Sequence, residues 1–156
     1  MTSQPNTAVE FSKALQSSDF NLRAQAVIAL ATFLEQYPID AFDLIVMAMD
    51  DIDPRICNEA TKTMGKLAHQ DPEMVQRRIS ERLSPKQKWS GKDRTDILLL
   101  GVWARMKDNE GVNPVMHLAW RQAHEQQDRP LRAMIKKFAV HTGELPNLKF
   151  GSSTIN

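Results

Sequence analysis

Asp19-Phe20-Asn21-Leu22-Arg23-Ala24 and Asp128-Arg129-Pro130-Leu131-Arg132-Ala133 carry the same pattern, an Asp followed three residues later by Leu-Arg-Ala. Between them stands Asp53-Pro54-Arg55-Ile56, followed by Ala60, Met64, Gly65 and Leu67. That segment aligns with Leu22, Ala26, Leu30, Ala31 and Phe33 at an offset of 34 residues. From Asp53 to Asp128 is 75 residues, room for two more steps, and Leu98, Leu100, Gly101 and Trp103 supply the intervening copy. A motif recurring at such a period marks a stack of repeated units rather than a single bundle.

The punctuation around these copies is helical. Thr7 with Glu10 forms a capping box that starts a first helix, running to about residue 16. Ser18 or Asp19 caps a second helix that ends before Pro38, and a third covers about 40–49. Asp53-Pro54 places a cap before a first-turn proline and opens a helix to about 69; Asp71-Pro72 opens another to about 83. Further helices are predicted over about 93–107 and, from Asn113-Pro114, to about 127. Asp128 caps the last, which ends at Gly143. Apolar residues recur at spacings of three and four in each segment, such as Leu131, Met134, Ile135 and Phe138 in the last. No stretch alternates with period two long enough to be a strand, so the fold class is all-α.

At this spacing the chain resembles the HEAT-repeat family, whose pattern is an apolar first helix, a short Asp-bearing turn and a second helix reading aliphatic, Arg, Ala, Ala-Leu-Gly-like. The resemblance implies a right-handed α-solenoid of about four helix pairs, at 8–37, 39–69, 71–107 and 113–143, within one domain over 1–143. Residues 144–156, a polar stretch with Leu145, Leu148, Phe150 and Ile155, are expected to form a flexible tail. The second copy departs from the pattern, with Cys57 at the Arg position, and the third blurs both Asp and Arg. For Arg23 and Arg132 the resemblance implies an Asp/Arg ladder linking adjacent turns. It also makes Gly65 a close-packing position in the second pair. Each pair alone leaves its apolar face open, and stacking closes it.

Composition fits a soluble globular chain: 156 residues, 42% hydrophobic and 25% charged, with 8 Met against 6% aromatics. No apolar run reaches the roughly 20 residues of a membrane span, and the N-terminal residues are polar. A single cysteine, Cys57, cannot close an internal disulfide, which points to a reducing cytoplasm. The net charge of +1 hides a segregation. Residues 1–75 hold 5 Lys/Arg and 11 Asp/Glu, a balance of −6, whereas 76–156 hold 15 and 8, a balance of +7.

Searching for catalytic groups leaves a binding protein as the expectation. The glycines are scattered, with no phosphate-cradling loop, and no serine sits in a nucleophile elbow. Cys57 and His69 on one helix are about 18 Å apart along its axis, too far to act together. His124-Glu125-Gln126-Gln127-Asp128 resembles a zinc-protease motif only if one helix runs through it, and Asp128 reads instead as the next helix's cap. No metal or cofactor is expected. Trp103 and Trp120 fall in apolar stripes and read as core. Trp89 lies in the longest and most basic connection, Ser84-Pro85-Lys86-Gln87-Lys88-Trp89-Ser90-Gly91-Lys92, and an aromatic among lysines outside a helix is a candidate contact. The alternative is that Trp89 folds back over the gap between helices. The candidate partner-binding residues are Lys86, Lys88, Trp89 and Lys92 on this loop, which is expected to contribute to binding and little to folding, and Arg129, Lys136 and Lys137 on the last helix.

The expected function is that of a non-enzymatic protein-binding adaptor or scaffold, because HEAT-like arrays present a curved helical surface to an extended or helical partner. Self-association through the end repeats or the tail would also cover exposed faces. Nucleic-acid binding is the alternative: DNA-alkylation-repair glycosylases are built from HEAT-like repeats, and the basic half with a loop Trp could grip phosphates and stack on a base.

Overall fold

The structure, a computed structural model, describes residues 4–143. Those residues form eight helices and no strand: α1 (Ala8–Leu15), α2 (Phe20–Gln36), α3 (Pro38–Met49), α4 (Pro54–Gln70), α5 (Pro72–Leu83), α6 (Arg94–Arg105), α7 (Val112–Glu125) and α8 (Arg129–Thr142). The chain is therefore all-α. No helix among the described residues is long and apolar enough to cross a membrane. The tail assigned to residues 144–156 lies outside the described residues.

Local chemistry sets most of the boundaries. The Thr7 hydroxyl accepts from the Glu10 amide at 3.2 Å while the Glu10 carboxylate accepts from the Thr7 amide, closing the capping box. The Asn6 amide also donates to that carboxylate and, as the largest influence, holds the Glu10 pKa below its ordinary value. Asp19 and Asp53 each accept from the amide two residues on, at 2.9 Å, and Asp128 from Leu131 at 3.1 Å. Gly143, at φ +75°, ends α8 in the left-handed region that glycine tolerates. One start is corrected. α7 opens at Val112 behind Gly111, at φ +88°, so Asn113-Pro114 falls inside its first turn. A proline there lacks only an amide that has no helical partner anyway.

The chain divides into two compact units, Met1–Val75 and Gln76–Asn156, with the division inside α5. In the first unit α1 packs on α2 and α3, α2 on α3 and α4, and α3 on α4. Phe11, Leu30, Ile45, Met49, Met64 and Leu67 are fully buried there. Arg23 on α2 reaches the α3–α4 turn, donating from Nε to Asp51 at 2.9 Å and from Nη1 to the Ser17 carbonyl at 3.1 Å. Cys57, at the matching position of α4, is a small core residue. Its neighbour Arg55 instead clasps Asp53 and lays its guanidinium 4.2 Å from the Phe20 ring centroid, joining the starts of α2 and α4. Gly65 is corrected. It is exposed on α4, and a methyl group there would meet nothing within 4 Å. The buried stripe of α4 passes through Ala60, Thr63, Met64 and Leu67, leaving Gly65 outside it.

In the second unit α8 packs on α6 and α7, and α6 on α7. Leu99 to Ala104 are all buried, so α6 is its central helix. The close-packed glycine is Gly101: a Cβ there would stand 2.6 Å from Cε1 of Phe138 on α8. Trp103, Met116, Ile135 and Phe138 fill the core around it. His124 ends on α7 and Asp128 caps α8, so the His-to-Asp motif is broken between two helices.

Candidate basic surface of the C-terminal unit

The connection between α5 and α6, residues 84–93, is a built structure rather than a free loop. Its second half closes on itself: the Ser90 amide donates to the Asp93 carboxylate at 2.9 Å, and the Asp93 amide to the Ser90 carbonyl at 3.0 Å. It is then fastened to the following helices. The Trp89 amide donates to Oε1 of Gln122 on α7 at 2.7 Å, and the Gln122 side-chain amide donates back to the Gln87 carbonyl. The Gly91 amide donates to Oδ2 of Asp128 at 2.7 Å, on the carboxylate whose other oxygen caps α8. A Cβ at residue 91 would press to 2.7 Å from that carboxylate, so the close approach suits glycine.

These ties overturn two of the candidate contacts. Trp89 is only 1% exposed, so its indole is a core side chain and is not offered to a partner. The physical reason is the pair of side chains, Gln122 and Asp128, that pull the loop backbone down and turn the ring inward. The indole Nε1–H meets no acceptor among the described residues, as is also true of Trp103 and Trp120. Lys86 is likewise committed. Its Nζ lies 3.3 Å from Asp93, 3.1 Å from Asp96 and 5.1 Å from the Trp89 ring centroid. Arg82 on α5 takes the other oxygen of Asp96 at 2.7 Å. Two cations and two carboxylates thus close the base of the loop.

The remaining five candidates stand outward. Lys88 and Lys92 on the loop and Arg129, Lys136 and Lys137 on α8 are all exposed, and none forms an ion pair among the described residues. The Gly91–Asp128 hydrogen bond brings their immediate neighbours Lys92 and Arg129 to one corner. Lys136 follows Arg129 by seven residues, two helical turns or about 10 Å further along α8. α8 carries four Lys/Arg and no Asp or Glu. The outward row is therefore uniformly positive, interrupted by the small Ala133 and by Val140, which is 62% exposed. The sequence alone did not single out Val140 or the fastening residues Gln122 and Asp96. Asp128 was legible as a cap; its second role on the loop depends on a partner 37 residues away.

Compared with known protein families, curated proteins and solved structures, the chain matches none of them.

Proposed function

We propose that this chain is a HEAT-like binding protein that works as an adaptor or scaffold, without catalysis, and that it holds an acidic protein segment along the outer face of α8 and the adjoining loop. The observation that carries this is a set of exposed cations with no ion pair among the described residues: Lys88 and Lys92 on the loop, and Arg129, Lys136 and Lys137 on α8, a helix that has no acidic residue. Positive side chains fixed on a packed helix and a fastened loop bind with little ordering cost. The packing of α1 on α3 and α2 on α4, beside the contacts within each pair, supports the helix-pair repeat. Burial of Trp89 takes away the base-stacking contact on which a nucleic-acid role would draw.

Fluorescence anisotropy tests this with two labelled probes, a glutamate-rich peptide and a single-stranded oligonucleotide. The peptide should bind, and Lys136→Glu with Lys137→Glu should weaken it about tenfold, or about 1.4 kcal/mol, without lowering the melting temperature. Tighter binding of the oligonucleotide, with affinity falling linearly in log-log salt, would replace the protein partner with a nucleic acid. If neither probe binds, the proposal is wrong.

A further inference from the structure

We propose that Asp128 is a positioning residue for the acidic segment: by holding the tip of the 84–93 loop against the start of α8 it fixes Lys92 beside Arg129, so that loop and helix cations bind as one unit. This rests on the binding role given above to α8 and the loop. The tip is itself a closed turn. The Ser90 amide donates to the Asp93 carboxylate, the Asp93 amide to the Ser90 carbonyl, and the Lys92 amide to Ser90 Oγ at 3.2 Å. Gly91 and Lys92 are the two central residues of that turn, so the group that places Gly91 places Lys92 as well.

Asp128 does that placing. Its Oδ1 accepts from the Leu131 amide at 3.1 Å, which is all that capping α8 requires. Its Oδ2 accepts from the Gly91 amide at 2.7 Å, across 37 residues of sequence. A Cβ at residue 91 would stand 2.7 Å from Oδ1, so the contact is tight enough to depend on glycine. The indole end of the loop has its own anchor, because the Trp89 amide donates to Gln122 on α7. Burial of Trp89 and placement of Lys92 therefore rest on different side chains, and the second can be lost without the first. A lysine on a fixed turn gives up less freedom when it binds, so a placed Lys92 adds to what Arg129, Lys136 and Lys137 supply. Charge argues the other way. Asp128 is itself an anion beside a surface for anions, and its carboxylate repels an acidic segment. Removing that charge tightens binding if Asp128 acts only through its field, and loosens binding if it positions Lys92.

Asp128→Asn reads the sign. Asparagine is a good N-cap but offers one acceptor oxygen where the carboxylate uses two. With the labelled glutamate-rich peptide at low salt, Asp128→Asn should bind about threefold more weakly than the wild type, and Lys92→Ala should lose a similar factor. The two together should lose no more than either alone, since Lys92 contributes only where Asp128 places it. Hydrogen exchange should show the Gly91 amide released and the Trp89 amide still protected, which establishes that the variant is folded. Gly91→Ala crowds the same contact from the loop side, leaves the cap residue unchanged and should weaken the peptide to the same extent. Equal or tighter binding by Asp128→Asn overturns the inference, as does a loss from Lys92→Ala that is undiminished in the Asp128→Asn background. Should Asp128→Asn not fold, Gly91→Ala carries the test, and unchanged binding there overturns the inference. If Lys136→Glu with Lys137→Glu weakens the peptide while Asp128→Asn does not, the α8 surface stands and Asp128 is a cap alone. If the wild-type chain does not bind the peptide, both readings fall.

Discussion

A methyl group added at Gly101 would stand 2.6 Å from the Phe138 ring, whereas one added at Gly65 would meet nothing. The two glycines should therefore respond to the same substitution with opposite signs. Gly101→Ala forces the ring of Phe138 aside in a filled core and should cost about 1–3 kcal/mol. Gly65→Ala removes backbone freedom from an exposed helical position and should gain about 0.5–1 kcal/mol. Thermal unfolding of the two variants checks this, and equal shifts would place both in the same environment. Trp89 gives a second comparison. Trp89→Ala empties a buried site and should cost about 3–5 kcal/mol. Trp89→Phe should be much milder, since it keeps most of the ring and sacrifices an indole N–H that has no acceptor among the described residues. Urea unfolding of both distinguishes a core indole from an exposed one, which neither substitution would greatly affect.

At the scale of elements, the helix starts were legible because capping is local chemistry. Thr7, Asp19, Asp53 and Asp128 each accept from amides within three residues, so the sequence window around each contains the whole interaction. The start of α7 was misplaced because Asn113-Pro114 imitates a cap, while the actual start turns on the backbone of Gly111. The inward fold of the Trp89 loop was not legible, since Gln122 and Asp128 act on it across 33 and 37 residues. Gly65 was misread for a related reason: an offset that aligns two helices does not say which face each buries. A pH prediction belongs at this scale. The Arg55 side chain, and then its amide, lower the Asp53 pKa from 3.8 to about 2. A depressed carboxylate contributes stability that is complete above the unfolded value and lost as pH falls through the folded one. The contribution from the start of α4 should thus fade between about pH 4 and pH 2. Asp53→Asn keeps a good cap without the charge, so its stability should decline less steeply over that interval. Circular dichroism melts at stepped pH check the difference in slope.

Over the whole molecule the charge boundary and the structural boundary coincide: residues 1–75 sum to −6 and 76–156 to +7, and the two compact units divide at Val75. A protein of net charge +1 with evenly mixed charges would be held weakly by any exchanger. This one should be retained on both cation and anion exchangers near pH 7.5 at low salt, because each resin meets a unit of the opposite sign. Lys136→Glu with Lys137→Glu should shorten retention on the cation exchanger. Elution of the wild-type chain in the void of both columns would show that the two charges screen one another.

The fastening of the Trp89 loop also carries a consequence for the chain as the ribosome makes it. Helices α1 to α4 reach partners that have been synthesised within the first 70 residues. Trp89 must wait for Gln122 and Gly91 for Asp128, the latter 37 residues downstream. At about 5–20 residues per second that is a delay of about 2–7 s, during which the indole has no seat. The nascent chain therefore shows a large apolar ring for seconds before α7 and α8 emerge.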